Sequence, residues 1–140
     1  MNASTPMVWS VLTDYDRIPK FVASMRASRV REILADGSLI VEQKAVGRMF
    51  FLSKTMRLVL DVRRTPGSLR FTDTGHQDFQ VYDGDWEVRP ITAGTSVTYH
   101  LLVEPRFSMP SFFAGRAMKR GAQRLLEQVR AEIVRREGAR

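Results

Sequence analysis

The sequence predicts an α+β layered domain with short helices at the start, a run of antiparallel strands and one long terminal helix. Three observations carry this. Val8, Trp9, Val11 and Leu12 make an apolar helical turn near the N-terminus. Alternating segments follow, divided by the turn signals Asp36-Gly37, Pro66-Gly67 and Ala93-Gly94. Ala114, Met118, Ala122, Leu125, Val129 and Ile133 then recur at three- and four-residue steps, the stripe of a helix. A chain of 140 residues is one domain by size, so residues 1–140 are read as a single unit.

Thr5 is expected to cap the first helix, with Pro6 at its first position, and the helix to run to about Thr13. Pro19 opens a second short helical turn to about Ser24. Residues 29–34 are the first strand, and residues 39–46 continue the hairpin. Gly47-Arg48 is expected to break that strand. Residues 56–63 and 69–74 follow as strands, the second with Leu69, Phe71 and Asp73 on one face. Asp83-Gly84 reads either as a hairpin turn or as a bulge in one long strand. Residues 96–104 form the last strand, with Thr98 and His100 facing opposite to Val97, Tyr99, Leu101 and Val103. Residues 105–111 are a connector bounded by prolines, and residues 112–136 the long helix.

Composition narrows the function classes. Hydrophobic residues make up 44% and charged residues 26%, which fits a folded globular chain rather than a disordered one. There is no cysteine, so disulfides and thiolate chemistry are excluded. No apolar run approaches the ~20 residues that cross a bilayer, and no basic-then-apolar leader opens the chain; a cytoplasmic location is expected. The net charge of +7 is uneven. From Arg106 onward there are nine Lys or Arg against three Asp or Glu, leaving thirteen against twelve in residues 1–105. The excess therefore belongs to the last helix, where Arg116, Arg120 and Arg124 form a row. That row lacks interleaved aromatics, and no nucleic-acid-binding signature accompanies it, so nucleic acid is a disfavoured partner.

The segment Val8-Trp9, Val11-Leu12, Asp14-Tyr15, Pro19 and Phe21 resembles the START-like (SRPBCC) superfamily of polyketide cyclase/dehydrase-type and coenzyme-Q-binding proteins. Its members show V-W-x-V-L-x-D-Y-x-x-x-P-x-F near the N-terminus. Gly75 to Phe79, Gly84-Asp85-Trp86 and Gly94-Thr95 are similar to the family's later Gly-x-x-Phe, Gly-x-Trp and strand-opening Gly-Thr. The resemblance covers nearly the whole chain. It implies the helix-grip fold, a curved antiparallel sheet wrapped around a long C-terminal helix, and favours the bulge reading at Asp83-Gly84. The family normally begins with a strand before the first helix. Met1 stands too close to Thr5-Pro6 for one, so either this start is not the natural one or the domain lacks its first strand. The second case leaves a sheet edge that invites pairing with another chain.

The resemblance also implies an apolar cavity between sheet and helix for lipids, quinones or polyketide-like aromatics. Its expected lining is Phe50, Met56, Leu58, Phe71, Phe79, Trp86, Tyr99, Phe113 and Met118, although aromatic and Met side chains at such spacing mostly serve as core. The residues offer no nucleophile elbow and no phosphate loop. Weak catalytic candidates are His76 and His100, the two imidazoles, with Tyr82, Tyr99 and Arg48 as groups that could orient a carbonyl or an acidic headgroup. No metal and no organic cofactor is expected. Asp14 and Asp16 are expected to serve backbone donors in the turn. Phe107, Met109, Phe112 and Phe113 cluster in the connector as a plug, a lid or a membrane contact, the last with Arg116, Lys119 and Arg120 on anionic headgroups.

The function expected is the binding of a hydrophobic small molecule. The alternatives are an aromatase/cyclase-type enzyme and a protein- or ribosome-interaction module.

Overall fold

Ser4, not Thr5, caps the first helix: its Oγ accepts from Met7 N–H at 3.3 Å, and α1 spans Thr5–Leu12 with Pro6 in its first turn. The Thr5 hydroxyl turns instead to Thr95 Oγ1 at 3.1 Å. In the computed structural model the described residues are 1–49, 52–107 and 111–139, with side chains described throughout except at 48, 49, 52 and 111–118.

A 3-10 turn, Tyr15–Arg17, and the single turn of α2, Ile18–Phe21, carry the chain to the sheet. The strands are β1 Met25–Ile33, β2 Leu39–Met49, β3 Leu52–Thr65, β4 Ser68–Asp73, β5 Phe79–Ile91 and β6 Gly94–Pro105. They form one antiparallel sheet in sequence order. Helix α3, Ser111–Gly138, follows. The α+β helix-grip architecture expected from the sequence is the one found.

Two glycine readings are corrected. Gly47 does not end β2, which runs on to Met49 with Gly47 opposite Lys54. A Cβ there would lie 2.7 Å from Met56 Cε, so glycine makes room for the methionine tip. Asp83-Gly84 is neither a turn nor a bulge. Both residues keep regular register with Leu102 and Leu101, and the β5 irregularity falls between Phe79 and Val81. Gly84 serves close packing: a Cβ would meet Phe71 Cζ at 2.6 Å and collide with the His100 carbonyl oxygen. The Phe71 ring can therefore pack close against the β5 backbone at Gly84.

Period-2 alternation puts Leu58, Leu60 and Val62 of β3, Leu69 and Phe71 of β4, and Trp86 and Val88 of β5 inside. They share one core with Val8, Val11 and Leu12 of α1 and with Val129 and Ile133 of α3, the last 0% exposed. The C-terminal half of α3 is thereby fixed against α1 and β2. Arg136 adds a tie from α3 to Asp14 at 2.8 Å, and Glu132 holds Arg136 at 2.8 Å and Arg135 at 2.6 Å.

The sheet edges differ. On β1, Arg26, Arg29 and Arg31 are exposed, register shifts occur at two places, and Asp16 Oδ1 accepts from Val30 N–H at 3.1 Å. These features blunt an edge. On β6, Met1 forms a two-way pair with Thr95: Met1 N donates to Thr95 O at 2.7 Å, and Thr95 N donates to Met1 O at 2.9 Å.

Candidate functional site

Strand β4 is short, and its early end shapes the inner face. Beyond the Leu60–Asp73 pair, β3 has no β4 residue opposite it. Its next donors are met by side chains instead. Asp73 Oδ1 accepts from Val59 N–H at 3.0 Å, and Asp78 Oδ2 accepts from Arg57 N–H at 2.7 Å. Two aspartates thus replace ladder carbonyls, at a part-buried donor on Val59 and an exposed one on Arg57. Asp73 Oδ1 also takes Gly75 N–H at 3.1 Å.

Inside this frame runs a strip of rings on β4, β5 and β6. Phe79 lies 5.0 Å from Tyr82, Tyr82 lies 6.0 Å from Phe71, Phe71 stacks on Tyr99 at 6.0 Å, and Tyr99 meets Trp86 at 4.4 Å between centroids. Such spacings are favourable ring contacts. Gly84 makes the Phe71–Tyr99 contact possible by leaving β5 bare between them. Phe107, from the connector, closes one end, 6.1 Å from Phe79, with Lys54 Nζ 4.9 Å above its ring.

Phe71, Phe79 and Trp86 are buried, whereas Tyr82 and Tyr99 are half-buried. Burial is nevertheless the main cause that pushes both phenol pKa values up. The two phenols perturb one another as well, and Asp73 adds to the rise at Tyr82. At neutral pH both tyrosines are therefore neutral hydroxyls that can donate hydrogen bonds.

Asp73 sits on this same inner face at the end of β4 and is 1% exposed. Continuing the β4–β5 register one step past Thr72–Asp83 sets it opposite Tyr82. Its Oδ2 is buried and has no hydrogen-bond partner among the described residues. The sequence pattern placed Asp73 on the inward face without marking it as a site residue. The signal was there, an acidic side chain at an inward position between aromatic neighbours.

The expected lining residues divide as follows. Leu58, Phe71, Phe79, Trp86 and Tyr99 lie together on the inner face, with Met56 half-buried at its margin. Phe50 lies outside the described residues, as do the side chains of Arg48, Phe113 and Met118. Of the catalytic candidates, Tyr82 joins Tyr99 on the inner face, but neither histidine does. His76 is exposed in the loop after β4, with φ of 50°. His100 is exposed on the opposite face of the sheet, its Nδ1 2.7 Å from Asp85 Oδ1, and that bond raises its pKa.

Asp85, Glu87 and His100 are the one group of metal-ligand type found among the described residues. It is a solvent-facing cluster in which His100 Nδ1 and Asp85 Oδ1 already bond to each other at 2.7 Å. Among the described residues no helix is long and apolar enough to cross a membrane.

Solved structures share this fold at low identity. A START superfamily protein from Mycobacterium smegmatis superposes with a TM-score of 0.83 at 12% identity, covering 96% of this chain and 92% of that one. A STAR-related lipid transfer protein from Xanthomonas axonopodis gives 0.73 at 16%, covering 95% and 81%. An aromatase/cyclase from Streptomyces sp. R1128 gives 0.74 at 15%, covering 96% and 89%. No curated protein sequence matches the chain significantly. The sequence itself matches the family described as polyketide cyclase / dehydrase and lipid transport over residues 1–130. With this match across most of its length, the chain belongs to that family, and its fold is the START-like helix-grip fold of those structures.

Proposed function

We propose that the protein binds a hydrophobic small molecule, of lipid, quinone or polyketide-like type, between the inner face of the sheet and α3. One observation carries the reading. Tyr82 and Tyr99 keep accessible surface on an inner face whose neighbouring rings, Phe71, Phe79 and Trp86, are buried. Polar-tipped rings left half-open within an apolar strip suit the wall of a ligand site. The ring strip around it would supply affinity by apolar burial, at ~25 cal/mol per Å² before the costs of association. The hydroxyls would set orientation.

A cyclase reading has less support. The described inner face brings two neutral phenols and one carboxylate together but no imidazole, so its described groups orient and hydrogen-bond more readily than they move protons. A peripheral membrane contact would use Lys119, Arg120 and Arg124, which are exposed on α3. Equal vesicle co-sedimentation with and without anionic lipid would remove it.

Native mass spectrometry of the protein purified from its own cells tests the binding reading. The expected spectrum holds a second species, heavier by one organic guest and lost after solvent extraction. Only the bare polypeptide mass, in gently handled protein from several growth conditions, would refute it.

A further inference from the structure

The carboxylate of Asp73 is half used. Oδ1 is committed to the backbone of Val59 and Gly75, but Oδ2 is buried without a partner among the described residues. A buried acceptor left unmade costs ~1–3 kcal/mol, more for a charged group, and such a group in a native fold asks for a missing partner. Sheet geometry narrows what that partner is. Asp73 is on the inner face, across the sheet from Tyr82 and next but one to Phe71, and it influences the Tyr82 hydroxyl. The Oδ1 bonds pin the side chain, so Oδ2 has a fixed place beside the ring strip, and a guest hydroxyl reaches it by displacing the side chains that cover it.

We infer that Asp73 Oδ2 is the polar anchor of the binding site, and that the guest carries a hydroxyl which donates to it while aromatic or aliphatic carbon lies along Phe71, Tyr82 and Tyr99. The inference rests on the guest-binding reading above and narrows it to a ligand class. Hydroxylated hydrophobic compounds fit, plain hydrocarbons lose the anchor, and carboxylates are repelled by Asp73. Tyr82, a neutral hydroxyl whose oxygen accepts from Tyr99, can donate to the same guest oxygen, so that the guest group both gives and receives.

The test compares three probes of one shape: 2-naphthol, naphthalene and 2-naphthoate, titrated calorimetrically at pH 7 into the full chain and into Asp73→Asn. In the variant, the amide oxygen can keep the Val59 and Gly75 bonds while the NH2 group replaces Oδ2 with a donor. The wild type is expected to prefer 2-naphthol over naphthalene by ~10-fold, the scale of one hydrogen bond to a charged acceptor, and to bind 2-naphthoate weakest. In Asp73→Asn the naphthol preference collapses and 2-naphthoate gains. Should the variant fail to fold, the wild-type ranking and Tyr82→Phe decide. Tyr82→Phe loses one donor and so binds naphthol more weakly, but keeps Asp73 and retains naphthol as the tightest probe; a naphthol preference lost in Tyr82→Phe would assign it to Tyr82 and overturn the anchor.

A naphthol-to-naphthalene ratio near one in the wild type overturns the anchor and leaves guest binding standing, as does a ratio unchanged in Asp73→Asn. A crystal in which Oδ2 is met by ordered water alone while naphthol lies elsewhere has the same consequence. Failure of all three probes to bind removes the anchor together with the guest-binding reading.

Discussion

Gly84→Ala is the sharpest structural test, because the inner wall depends on that position being bare. An added Cβ would meet Phe71 Cζ at 2.6 Å and collide with the backbone oxygen of His100. The Phe71 ring is buried between Tyr82 and Tyr99, and a backbone oxygen in a paired strand cannot swing aside. The substitution is thus overpacking with no free side-chain end to yield, at a cost of ~1–3 kcal/mol. Gly121→Ala is the matched control. Gly121 lies exposed in α3, and its Cβ would meet nothing within 4 Å. Alanine there gains helix propensity of roughly 0.8–1 kcal/mol. Each kcal/mol moves Tm by roughly 3–5 °C in a domain of this size. Differential scanning calorimetry of the two variants should therefore show shifts of opposite sign, down for Gly84→Ala and up for Gly121→Ala. A Gly84→Ala midpoint at or above that of the wild type would refute the packing argument for the ring strip.

Two further substitutions probe polar groups away from the strip. Tyr15 is buried, its hydroxyl has no partner among the described residues, and burial pushes its pKa up to about 12. Tyr15→Phe removes that unmade bond and should stabilise the fold by about 1 kcal/mol in urea titration, and a loss of stability would mean that the hydroxyl is partnered in solution. Glu132 is 8% exposed, and hydrogen bonds from Arg135 and then Arg136 hold its pKa down to about 2 from 4.5. Its contribution is complete above pH 4.5 and is lost as pH falls toward 2. It is on the order of 2 kcal/mol, less than the full shift implies because Arg135 is 67% exposed. The wild type should lose stability across that window more steeply than Glu132→Gln, and parallel acid profiles would contradict the assignment.

Side-chain parity was legible at once, and it put Leu69, Phe71, Asp73, Tyr99 and His100 on their observed faces, because alternation is a property of each strand alone. The Asp36-Gly37 and Pro66-Gly67 turns were legible for the same local reason. Gly84 was not. By local chemistry it belongs to a turn or bulge, and its real cause is the Phe71 ring arriving from the neighbouring strand. Ser4 took the cap from Thr5 because Thr5 is drawn to Thr95, ninety positions away. Asp73 is the strongest case. Its half-used carboxylate exists because β4 stops while β3 continues, and its acceptor role toward Val59 spans fourteen positions. No window along the chain contains that fact.

The central claim is that space remains between the ring strip and α3. Crystals of guest-free protein pressurised with xenon test it without any assumption about the ligand, since apolar cavities take up xenon. The account predicts anomalous density beside Phe71, Tyr99 and Trp86 on the α3 side. Protein atoms in continuous contact there, with no xenon bound, would contradict it.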